Sequence, residues 1–138
     1  MIIKTQYKLL FLIPLLLTLV ACDSSETEEP SVPVDTTPNS ITFTSQLDVE
    51  INTQILSNIV EISGINAPAS ISISGGEYSI DGSEFTSNTA SIENSQSLQL
   101  RVLSAPEYQT ATSAEVNIGG IETNFNIKTT TQPAQIDQ

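Results

Sequence analysis

The feature that most constrains the fold of this chain is a period of two. Between Ile41 and Thr130, apolar side chains return at every second position. That is the repeat of a β-strand with one face buried and one face wet, not the 3.6-residue repeat of a helix. "SLQLRV" sets Leu98, Leu100 and Val102 against Gln99 and Arg101, and "SISIS" supplies Ile71 and Ile73. "IETNFNIK" supplies Ile121, Phe125 and Ile127, and "NIVEISGI" supplies Val60 and Ile62. "ITFTSQLDVEIN" places Ile41, Phe43, Leu47, Val49 and Ile51 on one parity, with Ser45 interrupting the apolar face, so an edge segment is expected to cross between sheets there. Two glycine pairs then set register. Asp81-Gly82 in "EYSIDGSEF" and Gly119-Gly120 in "VNIGGIETNF" suit two-residue type I′ turns, whose central residues both need positive φ. The first turn pairs Ile80 with Ser83, Glu84 with Ser79, and Tyr78 with Phe85. The second pairs Ile118 with Ile121 and Ala114 with Phe125. Gly75-Gly76 and Asn94-Ser95 mark further turns. About seven to nine short strands at this spacing predict an all-β fold, an antiparallel β-sandwich over residues 41–130.

The head of the chain has a different pattern. "MIIKTQYK" carries Lys4 and Lys8, and Leu9 to Ala21 is a purely apolar and small-residue run broken only by Pro14 and Thr18. The run suits the core of an export signal and is short for a membrane-spanning helix, which needs about 20 residues. An uncleaved anchor helix is the alternative. The sole cysteine, Cys22, ends this run. Directly after it the chain turns acidic, "DSSETEEP". "LVAC", Leu19 to Cys22, resembles the lipobox of bacterial lipoproteins. The resemblance implies a signal peptide over residues 1–21 and cleavage just before Cys22. It also implies a diacylglycerol on the thiol and an acyl chain on the new amino group, with no other cofactor. The alternative is an ordinary signal peptide that leaves a free cysteine. An odd cysteine has no disulfide partner and would be a liability in an oxidising compartment, which lipidation would explain. The expected setting is the cell envelope, with the domain in the periplasm or on the surface. Asp23 resembles an inner-membrane retention signal, which Ser24 would weaken, so the choice of membrane stays open.

Beyond Cys22 the chain carries 16 acidic residues and only two basic ones, Arg101 and Lys128. A net side-chain charge of −14 excludes the basic surface that nucleic-acid binding requires and opposes adhesion to anionic lipid. Residues 22–40 read as the lipidated cysteine followed by a tether. "DSSETEEPSVPVDTTPNS" holds three prolines, five acidic residues and no aromatic ring, and it cannot bury enough to fold alone. As a flexible coil its 18 residues would reach about 24 Å. Residues 131–138 read as a polar tail.

From Ser57 to Thr130 the chain resembles an immunoglobulin-like repeat of exported proteins of marine Gram-negative bacteria. The resembling stretches are "SGINAP", "ISISGGEYSIDG", "LRVLSAPEY" and "VNIGGIETNFNI". The resemblance implies a surface or periplasmic module and brings no catalytic residue. There the unit often recurs in tandem; here it occurs once.

The chemistry expected of such a domain is contact rather than turnover. The chain has no histidine, its only thiol is assigned to lipid, and a serine nucleophile needs a base beside it. Lys128, the one amine on the folded part, points outward by parity. Glu77, Asp81 and Glu84 cluster near one hairpin without matching a calcium-loop motif. The resulting expectation is a non-catalytic envelope lipoprotein that supports or contacts other proteins. Carbohydrate- or calcium-dependent adhesion is the alternative, with an envelope protein or a surface glycan as partner and the bilayer held through Cys22. The candidate contact residues are Tyr78 and Tyr108. Tyr108 lies in "SAPEYQT", one of two end loops expected to bind, "NAPA" (66–69) being the other; a buried corner tyrosine is its structural alternative.

Overall fold

The computed structural model describes residues 31–135. The leader, Cys22 and tether residues 23–30 lie outside that range. Nine strands make up the fold of the described residues: β1 (Gln46–Val49), β2 (Gln54–Leu56), β3 (Val60–Glu61), β4 (Ala69–Ser74), β5 (Glu77–Ile80), β6 (Ala90–Ile92), β7 (Ser97–Leu103), β8 (Ala111–Ile118) and β9 (Ile121–Thr129). No helix occurs among the described residues. One sheet has the order β1-β9-β8-β4-β6; in the other, β7 is flanked by β2, β3 and β5. The protein is therefore all-β, two sheets packed as a sandwich.

The core follows the predicted parity. Ile71, Ala114, Val116, Ile118, Phe125 and Ile127 from the first sheet meet Ile62, Tyr78, Leu98, Leu100 and Val102 from the second. Each such side chain withdrawn from water contributes about 1.5–3 kcal/mol. The β8–β9 hairpin has the predicted register: Ile118 pairs with Ile121 and Ala114 with Phe125. Gly119 and Gly120 both take positive φ, at 56° and 90°.

The structure corrects three expectations and adds one feature, the third below, that the sequence did not show. First, the sandwich is not purely antiparallel, because β1 runs parallel to β9. Asp48, at φ 55°, sits at a break in that register and shifts the parity. Leu47, across that break from the half-buried Val49, consequently faces solvent at 70% exposure.

Second, the Asp81-Gly82 turn forms, with both residues at positive φ and the Ser83 N–H donating to the Ile80 carbonyl at 2.9 Å. The strand after it carries one extra residue, so Tyr78 bridges to Thr86 instead of Phe85. Because the side-chain period is two, that single insertion turns Phe85 away from the core face. Phe85 lies under the Arg101 guanidinium, 4.2 Å from ring centre to charge. The long ladder of β5 is made with β7 instead.

Third, β2 and β3 run along one edge of β7 as a single strand broken at Ser57–Ile59. Their pairing slips by one residue between Leu56↔Arg101 and Val60↔Leu98. The Leu100 N–H donates to the Ser57 hydroxyl at 2.8 Å, so a side chain stands in for the missing ladder carbonyl.

Fourth, ordered structure begins before Ile41. Asn66 clamps the incoming chain: its amide donates to the Pro33 carbonyl at 2.8 Å, and its side-chain oxygen accepts from the Asp35 N–H at 2.7 Å. The Asp35 carbonyl accepts from Asn66 and Ala67, and the Asn39 N–H donates to Ser63 at 2.8 Å. Pro38 is buried. Thr36 lies so close to Gly119 that a Cβ there would strike its carbonyl oxygen. Residues 33–39 are a strap on the domain rather than free tether.

Candidate functional site

The two sequence candidates fall in different places. Tyr78 is 1% exposed at the centre of the core, and its hydroxyl donates to the Asn88 carbonyl at 2.6 Å. Burial pushes its phenol above the ordinary tyrosine value. A side chain so enclosed cannot touch a partner, so Tyr78 is a packing residue. The alternating pattern gave it one buried parity and the turn gave it a position, but only the bulge decides which aromatic goes inside.

Tyr108 is 38% exposed in the loop between β7 and β8. The buried corner position considered for it is not realised. Thr129 makes the corner instead: its hydroxyl donates to the Glu107 carbonyl at 2.7 Å and accepts from the Thr110 N–H at 2.8 Å. Tyr108 is left to line a shallow depression of about 450 Å³ with Gln132, Pro133, Ala134 and Gln135. The two loops proposed for contact thus differ. "SAPEYQT" is open at Tyr108, while in "NAPA" Asn66 and Ala67 are occupied by the strap and Ala69 is buried.

The acidic residues around the first hairpin do not converge on one point. Glu77 is ion-paired with Arg101 at 2.6 Å. Asp81 accepts from the Ser97 N–H at 2.7 Å, the Ser97 hydroxyl at 3.0 Å and Gln96 at 2.9 Å. The Ser97 backbone bond, then its hydroxyl, hold the Asp81 carboxyl below the usual carboxylate range. Asp81 is thereby a turn-to-strand brace, and Glu77 one half of a surface ion pair. Four buried hydroxyls are committed, since Ser57, Ser79, Ser104 and Thr129 each donate to a backbone carbonyl, whereas the enclosed Ser113 hydroxyl has no hydrogen-bond partner. Lys128 stands opposite Ala111 on an exposed face.

One surface was not singled out from the sequence. On the outer face of β4, β8 and β9, cross-strand pairing aligns Ser72–Asn117–Glu122 in one row and Ser74–Glu115–Asn124 in the next. These six side chains line a depression of about 450 Å³. The signal was present as the polar parity of "SISIS", "AEVNI" and "IETNF". Polar parity marks any wet sheet face, and only the pairing shows that the three strands are neighbours. Each row offers a hydroxyl, an amide and a carboxylate, a donor and acceptor set that suits a polyhydroxylated ligand.

Comparison of the chain with protein-family models, with curated proteins and with solved structures gave no match in any of the three.

Proposed function

We propose that this chain is a non-catalytic lipoprotein of the bacterial cell envelope, held to a membrane through Cys22. In this reading it presents its β-sandwich for structural support or contact with another envelope protein. One observation carries the reading. The chain's only cysteine stands at the last position of "LVAC", where a charged leader and an apolar run give way to an acidic segment. A diacylglycerol thioether and an acyl amide at that residue supply two or more chains. One chain alone holds a protein weakly, at about 0.8 kcal/mol per buried methylene, and several hold it stably.

An immunoglobulin-like arrangement of the sandwich is supported by the neighbours of its long strands. β4, β8 and β9 are adjacent in one sheet, and β7 lies between β5 and the β2–β3 edge in the other. These groupings parallel the C-F-G and B-E-D sets of that fold. β6 departs from it, since the chain returns from β5 to pair β6 with β4 before entering β7.

The test is Cys22→Ala. Wild-type protein is expected in the detergent phase of a detergent–water partition and the variant in the aqueous phase or uncut. A variant that matures and still partitions with detergent overturns the reading.

Glycan binding is a second reading, favoured by the polar depression over β4, β8 and β9. A neutral hexasaccharide titrated into labelled protein should shift the amides of Ser72, Asn117 and Asn124 together, and Asn117→Ala should abolish the shifts. Unchanged spectra at millimolar sugar remove this reading and leave the first intact.

A further inference from the structure

We infer that the outer face of the sheet formed by β2, β3, β5 and β7 is a docking surface for a cationic amphipathic helix of another protein. Such a surface serves the contact role proposed above and rests on it, but it does not need the anchor at Cys22. The two sheets differ in what they show to solvent. The outward positions of β4 and β9 hold only Ser, Glu, Asn and Lys. On the other sheet the centre of the outer face is apolar. Ile55 and Val102 pair with their side chains inward, which turns Leu56 and Leu103 outward. Leu56 stands opposite Arg101, and Leu103, two residues on from Arg101, lies diagonally beside it. The two leucines are 45% and 53% exposed. Ile59, in the break of the same edge, is 65% exposed, while Val60 after it packs inward. Phe85 extends the face beneath the Arg101 guanidinium. Exposed apolar side chains scattered singly need no explanation, but a contiguous group rimmed by polar residues marks an interaction surface.

Charge selects the occupant. The one cation on this face is committed, because Arg101 is held by Glu77 at 2.6 Å and stacked on Phe85. That is the only ion pair among the described residues. Glu61, past Ile59 on the same edge, and Glu84, beside Phe85 in the chain, are exposed and have no cation against them. The described residues carry eleven acidic side chains against Arg101 and Lys128, and Lys128 lies on the other sheet. A second copy would bring two such surfaces together, which like charge opposes. Anionic lipid is opposed in the same way. A partner with Lys or Arg beside its own apolar stripe gains twice. Its aliphatic side chains cover Leu56, Ile59 and Leu103, and its cations meet Glu61 and Glu84. From Leu103, opposite Gln54, to Ile59 the strip runs about 17 Å along the edge. That is about three helical turns, so the partner's apolar residues recur at i, i+3 or i+4, and i+7.

The probe is a synthetic amphipathic helix of leucine and lysine, with leucine–glutamate and serine–lysine peptides of the same length beside it. Isotope-labelled protein is taken as the cell matures it, wild type in phosphatidylcholine nanodiscs and Cys22→Ala as recovered. The leucine–lysine helix should shift the amides of Leu56, Ile59 and Leu103 in both proteins. The leucine–glutamate peptide should leave the spectrum unchanged, and the serine–lysine peptide should bind at least about tenfold more weakly. Leu103→Ser and Ile59→Ser, both at exposed positions, should each weaken the leucine–lysine helix by about tenfold. If Leu103→Ser loses the native spectrum, Ile59→Ser decides. Shifts confined to β4, β8 and β9, or equal binding of the serine–lysine peptide, would show attraction by charge alone and overturn the inference. So would a dimer in sedimentation that Ile59→Ser or Leu103→Ser dissolves, since a second copy would then fill the face. Equal shifts in wild type and Cys22→Ala keep the two readings apart: the anchor fails by its own test while this face still binds. A folded protein whose face ignores the leucine–lysine helix ends this inference and leaves the anchor untouched.

Discussion

Replacing Tyr78 by alanine should lower stability by about 3–5 kcal/mol, the range for removing a large aromatic from a core. That is enough to unfold much of a small domain, whose total is about 5–15 kcal/mol. The expectation follows from position. Tyr78 is fully enclosed between the sheets, it belongs to the β5–β7 ladder, and its hydroxyl ties the β5 strand to Asn88. Tyr78→Phe separates these roles. It keeps the ring and loses only the bond to Asn88, for about 0.5–1.5 kcal/mol. Chemical denaturation of the three proteins measures both differences. An alanine variant as stable as the phenylalanine variant would mean that the ring is not in the core.

Gly75→Ala should be nearly as damaging, at about 2–5 kcal/mol. Two costs add. Gly75 holds φ at 78°, a left-handed conformation that costs a residue with a Cβ about 1–2 kcal/mol. The new Cβ would also be driven onto the backbone oxygen of Ser113 in β8, an overpacking worth about 1–3 kcal/mol. Gly82 provides the control. Its φ is 75°, but nothing lies within 4 Å of a Cβ placed there. Gly82→Ala should therefore show the conformational cost alone. Equal losses at the two glycines, measured by thermal unfolding, would show that the β4–β5 turn does not sit tight against β8.

Much of this fold is legible in the sequence because burial on one face of a strand leaves a period of two. β4, β7 and β9 could be placed on that basis, and β8 and its register with β9 followed from Gly119-Gly120. What escaped were features that change parity or recruit side chains into the ladder. The turn at Asp81-Gly82 was readable, but the extra residue after it was not, and it exchanges the expected fates of Phe85 and Thr86. The break at Asp48 likewise puts Leu47 outside. Ser57 reads as a polar residue between strands, yet it completes the hydrogen bonding of Leu100. The strap was missed for a related reason. "SVPVDTTPNS" has too little apolar surface to fold alone, and what holds it, chiefly Asn66 with Ser63 and Ala67, lies 24 or more positions away in sequence. Of the candidate site, Tyr108 could be placed in an end loop. The six polar residues over β4, β8 and β9 become one surface only when strand pairing is known.

The central claim is that Cys22 is the lipid-bearing amino terminus of the mature protein. The most direct measurement is the intact mass, with fragmentation of the amino-terminal peptide, of protein extracted from membranes. The account predicts a chain that begins at Cys22, lacks residues 1–21, and carries the added mass of a diacylglycerol on sulfur and an acyl group on the amine. A mature chain beginning elsewhere, or one beginning at Cys22 with an unmodified thiol, would contradict it.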